Sequence, residues 1–186
     1  MPDGIISDVV GSTKDLAMKI VKGTGDVAMS MSDAVSGTVV TALQGADDVA
    51  GSTTKTIADV VSGAFSGVME AGGDAMKATT DVADGVVKGV SKVGGDVVMA
   101  AHDVTHETVK GAGSAGADVA QVALAAVKGS IAATQSVGGD VAGVTKSAIE
   151  GAVKGAGEVS EETLTVVKDV LVTGIDGAKE IIDAVK

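Results

Sequence analysis

Hydrophobic and polar positions along this chain recur every 11 residues. Asp74, Asp96, Asp118 and Asp140 lie 22 apart, and Gly85, Glu107, Gly129, Gly151 and Glu162 occupy the half steps. Two residues beyond each come Met76, Val87, Val98, Val109, Ala120, Ile131, Ala142, Val153 and Leu164. Eight residues beyond each come Val82, Val93, Val104, Ala115, Ala126, Val137, Ala148, Val159 and Val170. Both columns are apolar throughout. Wound at 11 residues per three turns, about 98° per residue, these columns and their neighbours merge into one apolar arc covering nearly half the helix. The remaining half carries the Lys, Asp, Glu and His. A period of two sorts nothing, so a β-solenoid or amyloid-like stack of the Val, Thr and Gly would leave the pattern unexplained.

The pattern predicts an all-α chain. It is an extended amphipathic helix or long helical hairpin built on 11-residue repeats, with no compact globular core. Residues 1–186 form one helical repeat region. A first register runs over 1–69, a phase shift falls at 70–73, nine continuous repeats fill 74–172, and 173–186 continue the pattern. No proline follows Pro2. Gly23–Gly25, Gly72-Gly73, Gly94-Gly95, Gly111–Gly116 and Gly138-Gly139 are candidate turns. Unbroken register argues against a turn at the later three, and Gly72 and Gly73, where the phase breaks, are the hinge candidate.

Composition changes the picture by removing the usual core. The chain has 27 Gly and one Phe, Phe65, with no Trp, Tyr, Cys or Arg. Val and Ala stand in for Leu and aromatics. A glycine inside a helix costs roughly 0.8–1 kcal/mol relative to alanine, so such a helix is marginal alone. It calls for a partner. One candidate is a second copy, because Gly and Ala let helix backbones approach closely. The other is lipid, which takes an amphipathic helix in its plane.

A net charge of −11, with Lys supplying all 14 positive charges, argues against nucleic acid, which wants Arg forks and stacking aromatics. The longest uncharged run, Ala34–Ala46, has 13 residues, whereas a transmembrane helix needs about 20. Residues 1–4 lack the features of a classical signal peptide, which makes the cytoplasm the default location.

Candidate chemistry is thin. His102 and His106 share a helix face at i, i+4, a spacing that can hold a metal, but a catalytic zinc needs a third ligand. Both fall on the polar half. Gly111-Ala112-Gly113-Ser114-Ala115-Gly116 spells the dinucleotide-binding pattern but lacks a strand before it. No catalytic residue and no cofactor is expected.

The segments GVVKGVSKVGGDVV at 85–98 and ETVKGAG at 107–113 resemble the synucleins, and the repeat alone resembles perilipins. The synuclein Lys-Thr-Lys-Glu-Gly motif is absent. The resemblance implies reversible lipid-surface binding and self-assembly. The expected function is that of a non-enzymatic structural protein assembling into a filament, tube or coat. Its contact face comprises Val82, Val87, Val93, Val98, Val104, Val109, Val119, Ile131, Val137, Val141, Val153, Val159 and Val170. Coating of a membrane, droplet or lipid-cored particle is the alternative.

Overall fold

The computed structural model describes residues 3–22, 30–44 and 49–184. Within them the chain is helical, without strands: α1 (Asp3–Lys22), α2 (Met31–Gln44), α3 (Val49–Glu70), α4 (Ala75–Lys92), α5 (Val97–Ala115), α6 (Val119–Val137), α7 (Val141–Val159), α8 (Glu161–Gly174) and α9 (Ala178–Ala184).

The 22-residue spacing of the aspartates sets the length of these elements. Each aspartate is an N-cap, whose side chain accepts hydrogen bonds from otherwise orphaned N–H groups. Asp74 accepts from Met76 and Lys77, Asp96 from Val98 and Met99, Asp118 from Gln121, and Asp140 from Gly143, all at 2.9–3.1 Å. Two residues before each cap stands a left-handed glycine, Gly72, Gly94, Gly116 or Gly138, with φ of 69–72°. The residue between donates back into the preceding helix: Gly73 to the Val68 carbonyl, Gly95 to Val90, Ala117 to Ala112 and Gly139 to Thr134, at 2.9–3.0 Å. This is the Schellman ending, in which glycine takes a conformation that a Cβ disfavours. Glycine, glycine or alanine, then aspartate thus stops one helix and starts the next.

These turns overturn the extended reading. The chain folds back on itself, and every described helix except α8, which packs equally on α6 and α7, packs most heavily on a helix two places away. Helices α1, α3, α5, α7 and α9 line one row, and α2, α4, α6 and α8 the other. Contacts advance together along paired helices: Gly63 and Gly67 of α3 meet Val10 and Lys14 of α1, and Gly151 and Gly155 of α7 meet His102 and His106 of α5. Neighbours within a row therefore run parallel, and the turns reverse the chain between rows. Register survived the turns because every helix repeats the same pattern, not because one helix continues.

The expectation of no globular core falls with it. One cluster gathers Val87, Val109, Val127, Ile149, Val153 and Leu171, and another gathers Val35, Val39, Ile57, Val60, Val86 and Val104. The apolar arc finds its partner inside the same chain. Burying a valine-sized side chain gains roughly 1.5–3 kcal/mol, which offsets the glycine penalty helix by helix.

Candidate functional site, a cleft where the glycine ladder breaks

Within each row, close packing depends on a pair of small residues four apart. A Cβ at Gly63 of α3 would stand 2.6 Å from the Val10 carbonyl oxygen, and one at Gly67 2.5 Å from that of Lys14. On α4, Gly85 would meet the Ser32 oxygen at 2.5 Å and Gly89 the Ser36 oxygen at 3.0 Å. On α6, Gly129 would meet the Thr80 oxygen at 2.6 Å, and Ala133 holds the second place. On α7, Gly151 abuts the His102 oxygen, and Gly155 would meet that of His106 at 2.7 Å. Real Cβ atoms do not come this close to a carbonyl, so these contacts exist only because the side chains are missing.

Helix α5 breaks the ladder. Its two places, 22 residues on from Gly85 and Gly89, hold Glu107 and Gly111. A Cβ at Gly111 would meet nothing within 4 Å. Glu107 stands where α3, α4, α6 and α7 carry glycine, and a cleft of about 480 Å³ lies between α5 and α3. Phe65, Met69, Val61, Ser62 and Ser66 line its α3 wall; Glu107, Lys110, Gly111 and Ser114 line the other.

Charged groups cluster beside the opening. His106 Nδ1 lies 3.0 Å from Glu107 Oε1, and its Nε2 lies 2.9 Å from Glu158 Oε1 of α7. Lys110 Nζ sits 3.4 Å from Glu158 Oε2 and 4.0 Å from Glu107 Oε2. The hydrogen bond from His106 holds the Glu158 carboxyl below its ordinary range; desolvation opposes this, and Lys110 adds to it. One turn earlier, the His102 ring stacks on His106 with centroids 6.0 Å apart. His102 Nδ1 reaches Asp103 Oδ1 at 3.0 Å, and Thr54 of α3 donates to Asp103 Oδ2 at 2.7 Å. Burial pushes the Asp103 carboxyl up, but the His102 and Thr54 hydrogen bonds and both imidazoles outweigh it, and the net shift is downward.

No protein-family profile and no curated protein matches the chain.

The sequence-predicted residues scatter across this architecture. Val82, Val87, Val104, Val109 and Val153 are buried in the core. Val93, Val98, Val119, Ile131, Val141 and Val170 are half-buried, and Val137 and Val159 are 37% exposed. Among the described residues Gly72 and Gly73 form one of four turns of the same kind. His102 and His106 keep the predicted helical spacing but sit partly buried at the α5–α7 seam, engaged with carboxylates. Among the described residues no three His, Cys, Asp or Glu side chains gather as a metal site. The glycine pattern at 111–116 begins inside α5 and ends at its C-cap, with no preceding strand. No described helix is long and apolar enough to cross a membrane.

Phe65, Met69 and Glu107 were not expected at a site. The signal was present in Glu107, the one charged residue in the ladder column Gly63, Gly85, Glu107, Gly129 and Gly151.

Proposed function

We propose that this chain is a non-enzymatic structural protein that self-associates head to tail, adding copies in the direction in which its helices stack. The observation that carries this reading is the open side of α2. Gly85 lies five residues beyond Thr80, whose carbonyl receives Gly129; Gly37 likewise lies five beyond Ser32, whose carbonyl receives Gly85. Gly37 thus holds a ladder place, yet a Cβ there would meet nothing within 4 Å, and both Gly37 and Thr41 are exposed. Far along the same row, α8 leaves Val166 47% and Val172 41% exposed. Inside the chain, glycines are covered by valines four apart, Gly85 and Gly89 resting on Val35 and Val39, whereas Val166 and Val172 are six apart and stand about 120° from each other around α8. A second copy would bring exposed apolar side chains of α8 to this uncovered glycine face, and a heterologous contact of this kind does not close on itself.

The lipid-coating alternative needs the apolar arc to face outward, and of the thirteen residues expected on its contact face only Val137 and Val159 are exposed. Sedimentation velocity over a concentration series tests the proposal. The natural chain should grow in size with concentration, and Gly37→Glu should remain a monomer with unchanged helicity. A natural chain that stays monomeric throughout sinks the reading, and growth only on added neutral vesicles transfers it to lipid.

A further inference from the structure

We propose that α1 of a following copy displaces α9 from α7 during head-to-tail assembly, and that its Lys22 pairs with Glu150 of the preceding copy. This rests on the head-to-tail reading above. The rows alternate along the chain. A copy whose α2 takes the even-row place beyond α8 must therefore bring its α1 to the odd-row place beyond α7, and α9 holds that place.

A recurrent pairing sets the register. In three stacked pairs, the residue whose carbonyl lies under the second ladder place reaches, with its own side chain, the residue three beyond that place. Lys14, under Gly67, lies 2.7 Å from Glu70. Ser36, under Gly89, accepts from Lys92 at 3.0 Å. His106, under Gly155, lies 2.9 Å from Glu158. On α7 the face equivalent to His102, Thr105, His106 and Val109 is Lys146, Ile149, Glu150 and Val153, 44 residues on. On α1 the ladder places, five beyond Val10 and Lys14, are Asp15 and Lys19, and three beyond the second stands Lys22; all three are exposed. Stacked in this register, α1 sets Lys22 against Glu150 and Asp15 against Lys146. The charges are opposite at both places, and the Lys146 and Glu150 side chains are 64% and 36% exposed. Charge at a ladder place does not prevent stacking, because α5 packs on α3 with Glu107 there.

The cover that α1 would replace is slight. The seven residues of α9 bury Ala178 and Ile182, whereas the 19 of α7 bury eight.

Sedimentation velocity of the full chain tests the pairing through Glu150→Lys, Lys22→Glu and the two together. Among the described residues α1 and α7 do not touch within one chain, so coupling between these positions passes between copies. Each single variant should raise the concentration needed for growth about tenfold, and the double variant, its charges swapped, should return to within about twofold of the natural chain. All three should keep the natural helicity. Hydrogen exchange on the natural chain should show α9 losing protection and α1 gaining it as assembly proceeds. Growth of the natural chain with no recovery in the double variant, or with α9 protection undiminished, overturns this inference and leaves the head-to-tail reading standing. A natural chain that stays monomeric overturns both.

Discussion

Gly151 of α7 lies directly against the backbone carbonyl of His102 on α5, with no room for a methyl group between them. One turn on, Gly155 repeats the contact with His106. The glycines that weaken each helix in isolation therefore set the distance between helices in the fold. The two effects have opposite signs, and the ladder break separates them. Gly155→Ala drives a methyl into a carbonyl, an overpacking that costs roughly 1–3 kcal/mol. Gly111→Ala, at the equivalent place on α5, meets open space and gains the helix propensity difference of roughly 0.8–1 kcal/mol. Thermal unfolding should show a lower Tm for Gly155→Ala and a higher one for Gly111→Ala. Shifts of the same sign would show that the ladder does not determine packing.

Much of this was legible in the sequence, and the point of failure is specific. The helical period, the apolar columns and the 22-residue spacing of Asp74, Asp96, Asp118 and Asp140 were all visible. What misled was the equivalence of the half steps. Asp74 and Gly85 share a phase, yet one starts a helix and the other packs in its middle. Only the Asp positions are preceded by Gly-Gly or Gly-Ala, which is the signature of a helix end. The cleft was less accessible. Glu107 reads as another surface acid until Gly63, Gly85, Gly129 and Gly151 are known to touch backbone. The link from His106 to Glu158 spans 52 residues, and no local pattern encodes it.

If the aspartates cap helices, they are not interchangeable with the other acids of the polar half. Asp96→Ala removes the acceptor for Val98 and Met99 and should destabilise by roughly 1 kcal/mol, whereas Asp96→Asn should be nearly neutral. Asp81, paired only with exposed Lys77 across one helical turn, should give a few tenths of a kcal/mol on replacement by alanine. Urea midpoints of the three variants decide the matter. Equal losses at positions 81 and 96 would contradict the capping role.

Acid should loosen one row before the other. Three carboxylates tie the α1–α3–α5–α7 row: Glu70 to Lys14, Asp103 to Thr54 and His102, and Glu158 to His106. All three are held below their ordinary values, chiefly by hydrogen bonds from Lys14 for Glu70 and from His106 for Glu158, and for Asp103 by hydrogen bonds that outweigh its burial. A carboxyl depressed on folding contributes stability that is fully present above its unfolded value and lost as pH falls through its folded one. The loss should therefore begin near the unfolded values of 3.8–4.5 and deepen below them. Hydrogen exchange at pH 5 and at pH 3 should show larger protection losses in α5 and α7 than in α4 and α6. Glu158→Gln should flatten the acid limb of the stability profile. Lys14 works in the opposite sense: its raised value means that its contribution holds below 10.5 and disappears as pH rises through the folded value.

Ser130 supplies a test of the even row's interior. The buried threonines satisfy their hydroxyls along the helix: Thr79 donates to Ala75, Thr105 to Ala101, Thr108 to Val104 and Thr134 to Ser130, at 2.5–2.8 Å. Ser130, equally inaccessible on α6, has no partner for its Oγ. A buried hydroxyl without a hydrogen bond carries its desolvation penalty uncompensated, on the order of 1–3 kcal/mol. Ser130→Ala removes that penalty, adds helix propensity and leaves almost no cavity, so it should raise stability by about 1 kcal/mol. At this chain length that corresponds to a Tm increase of roughly 2–4 °C. Thr134→Val, which deletes a satisfied hydroxyl at nearly constant shape, should not stabilise. A destabilised Ser130→Ala would mean that the hydroxyl has a partner in solution, and that the α4–α6 junction is more polar than its Val and Ala lining indicates.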